Sequence, residues 1–139
     1  MSQRSRLGAI GGTVRLCTLA GCTLAAAAGV LAQDKPLAVG QPKVEVLVTA
    51  DLAEVGLAGT SVAQRVTIAP GVRMADHTHS GRTSLLVMLQ GALTEVRGAT
   101  RHEYKAGDVI QVSEGVTHHA ENYGMVPAVY IEINTTAKR

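Results

Sequence analysis

The chain has 139 residues, with 13 Lys and Arg against 11 Asp and Glu, a net charge of +2 with histidine neutral. That length predicts one domain, and that balance excludes a highly charged nucleic-acid binder. With no Phe, no Trp and three Tyr, the chain also lacks the aromatic surfaces that stack on bases, so no nucleic-acid partner is expected.

Residues 1–32 read as an export signal. Arg4 and Arg6 form a positive start, and Arg15 leads into an apolar run over 16–32, the order of a secretory leader. Val30-Leu31-Ala32 places small residues where signal peptidase needs them, so cleavage is expected before Gln33. The same run sits at the lower length limit for an uncleaved membrane anchor. Leu19-Ala20-Gly21-Cys22 also spells a lipoprotein signal, although the apolar run continues past the Cys. Arg4-Ser5-Arg6 is not the twin arginine of folded-state export. The protein is therefore expected in the periplasm or outside the cell, touching a membrane only if this segment stays attached.

After cleavage, Gln33 to Arg139 carries ten basic residues against eleven acids and neither Cys17 nor Cys22. A cysteine-free exported domain has no disulfide to lean on, so core burial, a metal or oligomerisation must hold it. Residues 33–42, with two prolines and little alternation, read as a linker or as an arm that packs on a neighbouring subunit. From 43 to 135 the chain reads as one folded domain. Beyond the leader there are 15 Val and 4 Ile against 8 Leu, with ten Thr, a β-branched bias that favours strands. Short alternating runs between Gly, Pro and Asp predict strands at 44–49, 61–69, 73–79, 84–90, 93–97, 103–104, 109–112, 118–122 and 128–133. Such spacing predicts an all-β barrel or jelly roll. Lys138 and Arg139 read as a frayed end.

Histidine placement carries the chemistry. His77-Thr78-His79 follows a Pro-Gly turn in strand context, and residues two apart in a strand project to one face. His118 opens another predicted strand, where a rolled sheet brings it beside the pair. Neutral imidazoles suit a divalent transition metal such as Zn, Cu, Fe or Ni, and three of them leave positions open. The plainer alternative is a solvated surface strand. His119 is expected to face the other way, toward solvent or an interface, and His102, beside Arg101 and Glu103, to be solvated.

These residues also stand in the pattern of a known family. Residues 71–91 resemble the first cupin motif, with Gly71, His77, His79 and Gly91 in register. Residues 107–122 resemble the second, with Gly107, Gly115, His118 and Asn122 in place. The resemblance implies a jelly roll of two packed antiparallel sheets around a metal (Fe, Mn, Ni, Cu or Zn) held by His77, His79 and His118, often in a homodimer. Two positions depart from it: Ser84 stands where the motif has its Glu, and Ser113 where it has a Pro. Losing the carboxylate leaves a bound ion more positive and should weaken its affinity.

Other residues are weighed as ligand contacts. Arg82 either holds a substrate carboxylate near the vacated position or is a solvated loop arginine. Ser84 and Met88, sharing parity with Leu86, either point at the substrate or fill the core. Asn122 is expected to fix a turn or to support the ligands by a hydrogen bond, not to touch metal. Glu95, Glu114 and Glu121 are acid–base candidates only if they face inward. Two functions stay open: a metal-dependent enzyme acting on a small organic molecule, dioxygenase-type chemistry foremost, and a non-catalytic small-ligand-binding module. A metal-free structural barrel is a third.

Overall fold

The computed structural model describes residues 36–138; residues 1–35, with the stretch expected to be an export signal and both cysteines, and Arg139 lie outside the described residues. In chain order the strands are β1 (Ala38–Val39), β2 (Lys43–Asp51), β3 (Gly59–Ile68), β4 (Val72–Arg73), β5 (His77–Thr78), β6 (Thr83–Gln90), β7 (Ala92–Arg97), β8 (Thr100–Lys105), β9 (Val109–Val112), β10 (Thr117–Glu121) and β11 (Ala128–Ala137). One short 3-10 turn, Leu52–Val55, joins β2 to β3.

Two sheets form. One runs β2-β3-β11-β6-β9, the other β1-β4-β10-β7-β8, with β5 also on β10. Strands are antiparallel except at β1–β4. The sheets pack face to face because alternate residues on each strand are apolar or small. Val66 and Ile68 of β3, Leu86 and Met88 of β6, Ile110 and Val112 of β9, and Ala128 and Tyr130 of β11 meet Leu93 and Ala120 of the opposite sheet. This is the all-β jelly roll that the sequence predicts.

The β6–β7 hairpin shows why a glycine closes it. Gly91 has φ 73°, and a Cβ there would lie 2.6 Å from the Pro127 carbonyl oxygen, so any other residue would push β11 off β6.

Several stretches differ from the sequence reading, among them β11, which runs on to Ala137. The strand expected at 73–79 divides into β4 and β5, because the Ala75 carbonyl accepts a bond from the His77 ring and Asp76 turns outward to His119. Part of the 33–42 stretch is strand: Ala38 and Val39 pair with Val72 and Arg73 of the same chain. Strand β8 is longer than expected because its largely exposed residues carry no alternation. Lys138 is tied down rather than frayed, its N–H donating to Ala58 at 3.0 Å.

Candidate metal centre

The two sheets leave a polar end in their shared interior. His77 opens β5, His79 lies one residue beyond it, and His118 on β10 is the register partner of His77. One ligating atom from each of the three lies within 4.8 Å of the others. His79 and His118 are buried, at 1% and 5% exposure.

Each imidazole is held from behind through Nδ1. His77 Nδ1 lies 3.1 Å from the Ala75 carbonyl, and His118 Nδ1 lies 2.7 Å from Glu95 Oε1. Carbonyls and carboxylates only accept, so both Nδ1 atoms carry the proton. For His79 the partner is Ser84 Oγ at 2.7 Å. That hydroxyl gives its own proton to Asn134 Oδ1 at 2.5 Å, so it accepts from His79. All three rings are thereby set with a lone pair on Nε2.

His79 Nε2 and His118 Nε2 stand 3.0 Å apart. Two lone pairs at that distance repel unless an electrophile lies between them. The spacing is close to the roughly 3.0–3.4 Å between two nitrogens bonded at about 2.1 Å to one ion. Burial, with the charge of Arg82 and the neighbouring His118, pushes His79 down to about 4 from its ordinary 6.5. The ring is therefore neutral and available at neutral pH. The donor set fits a divalent transition metal.

Glu95 anchors the arrangement. Burial alone would raise its carboxyl, but hydrogen bonds from His118 and Arg97 outweigh that and hold it below the usual carboxylate range. Arg97 reaches it at 2.9 Å and also donates to the Gln111 carbonyl.

In front of the histidines lies a small, partly open cavity. Leu86, Leu93, Ile110, Ala120 and Tyr130 form its apolar wall, and Arg82, Glu95 and Glu132 its charged groups. Burial, then the charges of Glu132 and Glu95, hold the Tyr130 phenol protonated far above its ordinary range. Glu132 is 8% exposed, and Gln64 donates to its Oε2 at 2.6 Å.

The other sequence candidates are distributed as follows. Arg82 lines the cavity, with its Nε buried and unpartnered among the described residues. Ser84 is fully buried behind His79. Met88 packs in the hydrophobic core. Asn122 closes the 122–126 turn: its side chain bonds the Ile68 and Val126 carbonyls and the Gly124 N–H. His119 does face away from the other three. It is covered by Asp76, 2.6 Å from Nδ1, and Glu121, 3.1 Å from Nε2. Glu121 thus lies on the outer face, where Arg101 also binds it. His102 is exposed, its ring tilted against that of Tyr104.

Sequence reasoning did not single out Glu132, Asn134 or Gln64. On β11, Val129, Ile131 and Ile133 look like the core-facing set. The pairing of Tyr130 with Met88 and Glu132 with Leu86 instead turns the polar parity inward. A lone acid inside an apolar strand was the available signal.

The cupin domain family Cupin_2 matches residues 64–134. Among solved structures, a predicted oxalate decarboxylase from Thermotoga maritima is 21% identical, over 70% of this chain and 82% of that one, with TM-score 0.58. An uncharacterized conserved protein with a double-stranded β-helix domain from Klebsiella pneumoniae subsp. pneumoniae is 18% identical, over 82% and 93%, with TM-score 0.60. A cupin domain from Bordetella pertussis is 17% identical, over 73% and 99%, with TM-score 0.56. No curated protein matches the chain. At these identities the structures speak for the fold alone. The family match spans half of the sequence and contains both histidine motifs, so this chain belongs to the cupin domain family.

Proposed function

We propose that this protein is a metal-dependent enzyme acting on a small organic molecule, with dioxygenase-type chemistry ahead of hydrolysis or isomerisation. The observation that carries the reading is the set of three imidazoles, each fixed through Nδ1, with Nε2 turned into an open cavity. A bound transition metal supplies Lewis acidity or a redox centre there. The protein's own groups hold and orient what enters. Glu95 and Ser84 fix the rings, and the Leu and Ile walls limit water. Glu132 gives the cavity an acid–base group.

Elemental mass spectrometry of the purified protein, beside a His77→Ala/His79→Ala control, tests the centre. About one ion per chain, absent from the control, is expected. O₂ uptake with phenolic, diketone and keto-acid substrates then tests the chemistry. Metal without turnover would favour the second reading, a non-catalytic ligand-binding module. The absence of a carboxylate at Ser84 favours that reading.

Two further proposals concern the setting. Export with cleavage before Gln33 is supported by the leader-like 1–32 segment and is checked by the mass of the mature N-terminus. A homodimer is supported by exposed apolar side chains on the five-stranded sheet, among them Val46, Val48, Leu85, Leu89 and Val109. Light scattering after gel filtration decides it. No helix among the described residues is long and apolar enough to cross a membrane.

A further inference from the structure

Two cavity groups remain without a task in holding the metal. Arg82, on the loop between β5 and β6, buries an Nε that has no hydrogen-bond partner among the described residues. A buried unpartnered donor costs stability unless a ligand meets it. Glu132, on the middle of β11, is buried on the same cavity with one oxygen held by Gln64. Both line the cavity together with His79.

Charge decides what kind of molecule fits. Three neutral imidazoles leave a divalent ion at +2, and Arg82 and Glu132 cancel one another. Glu95 is already met by Arg97 at 2.9 Å. Because position 84 supplies a hydroxyl and no carboxylate, the positive charge must be met by the ligand. An anion with a planar two-oxygen head suits the guanidinium. The Glu132 carboxylate can only accept hydrogen bonds. It therefore welcomes a hydroxyl on the ligand and repels a keto oxygen, which brings a second acceptor against it.

Resting on the metal-site reading above, we propose that the cavity selects small 2-hydroxy carboxylic acids. Arg82 binds the carboxylate, Glu132 accepts from the hydroxyl, and Leu86, Leu93 and Ile110 cover a short apolar tail. Arg82 sets acid against amide, and Glu132 sets hydroxyl against keto.

The test uses the full protein loaded with zinc, a redox-inert ion, with uptake measured first by elemental analysis. Calorimetry then compares glycolate, lactate, 2-hydroxyisocaproate and mandelate, each with its amide and its 2-oxo analogue. At least one hydroxy acid should bind roughly tenfold or more tightly than both analogues, in keeping with hydrogen bonds to charged groups. Arg82→Gln should cut the preference for acid over amide by roughly tenfold, the part the guanidinium supplies beyond the ion, and leave zinc content unchanged. Glu132→Gln, which adds a donor, should reverse the order of hydroxy and oxo acid. Equal binding of acid and amide, or an order unmoved by Glu132→Gln, overturns the inference while the metal centre stands. Failure of every hydroxy acid to bind zinc-loaded protein does the same. A protein that takes up no zinc overturns both readings. Circular dichroism of the variants separates loss of fold from loss of recognition.

Discussion

His118 and His119 are neighbours on β10, both buried and both bonded to carboxylates, yet the chain uses them in opposite ways. His118 faces the interior, gives Nδ1 to Glu95 and keeps Nε2 for the cavity. His119 faces outward and has a carboxylate at each ring nitrogen. Its hydrogen bond holds the Asp76 carboxyl below the usual range. What separates a ligand from a strut is therefore neither burial nor an acidic partner. It is whether one nitrogen is left over.

The contrast can be broken experimentally, and the largest effect should come from the inward ring. His118→Ala is expected to abolish stoichiometric metal, read by elemental analysis; retention of a full equivalent would show that the other two rings suffice. Glu95→Gln comes next. It leaves the amide oxygen to accept from His118 but removes the charge, and metal affinity should fall about 10- to 100-fold by competition with a chelating dye. Ser84→Ala frees the His79 ring to turn and should weaken binding by roughly tenfold, the low end of such effects. An unchanged affinity there would mean that packing alone orients the ring. His119→Gln should leave metal stoichiometry intact and cost about 1 kcal/mol of stability in urea unfolding, the scale of one lost hydrogen bond. Loss of metal in that variant would collapse the distinction between the two histidines.

A pH titration sharpens the same point. His79 has a folded value near 4 against 6.5 ordinarily, so between those values the unfolded chain binds the proton more readily. The part of the metal-free protein's stability that depends on a neutral His79 should be full above about pH 6.5, decline as the pH falls and level off below about 4. His79→Gln should flatten that part of the curve in chemical unfolding followed across pH.

The fold and the three histidines were legible because both rest on local pattern. Alternation and turn residues mark the strands, and His77 and His79 share a face at short range. The rest depended on partners far apart in sequence. Ser84 looked like a vacancy in the ligand set, and its use as an acceptor for His79 becomes visible only when Asn134 is brought to it from β11. Glu132 was hidden for a similar reason. Parity says which residues of β11 share a face but not which face turns inward, and pairing to β6 decides that. Glu95 could be named only conditionally, since its role exists through His118 on the paired strand.

Strand β5 is two residues long, yet it and the residue after it carry two of the three imidazoles. Beyond its two-residue ladder to β10, it is fastened by the Thr78–Thr117 hydroxyl contact at 2.6 Å, the backbone bonds between His79 and Val116 and between Gly115 and His79, the His79–Ser84 bond and the Asp76–His119 pair. Segments tied this lightly open far more often than the sheets around them. The consequence is kinetic. An ion would come and go by peeling this segment from β10, at a rate set by the backbone and not by the strength of each nitrogen bond. Amide exchange at His79 should then quicken in step with zinc release when Thr78 is changed to Val.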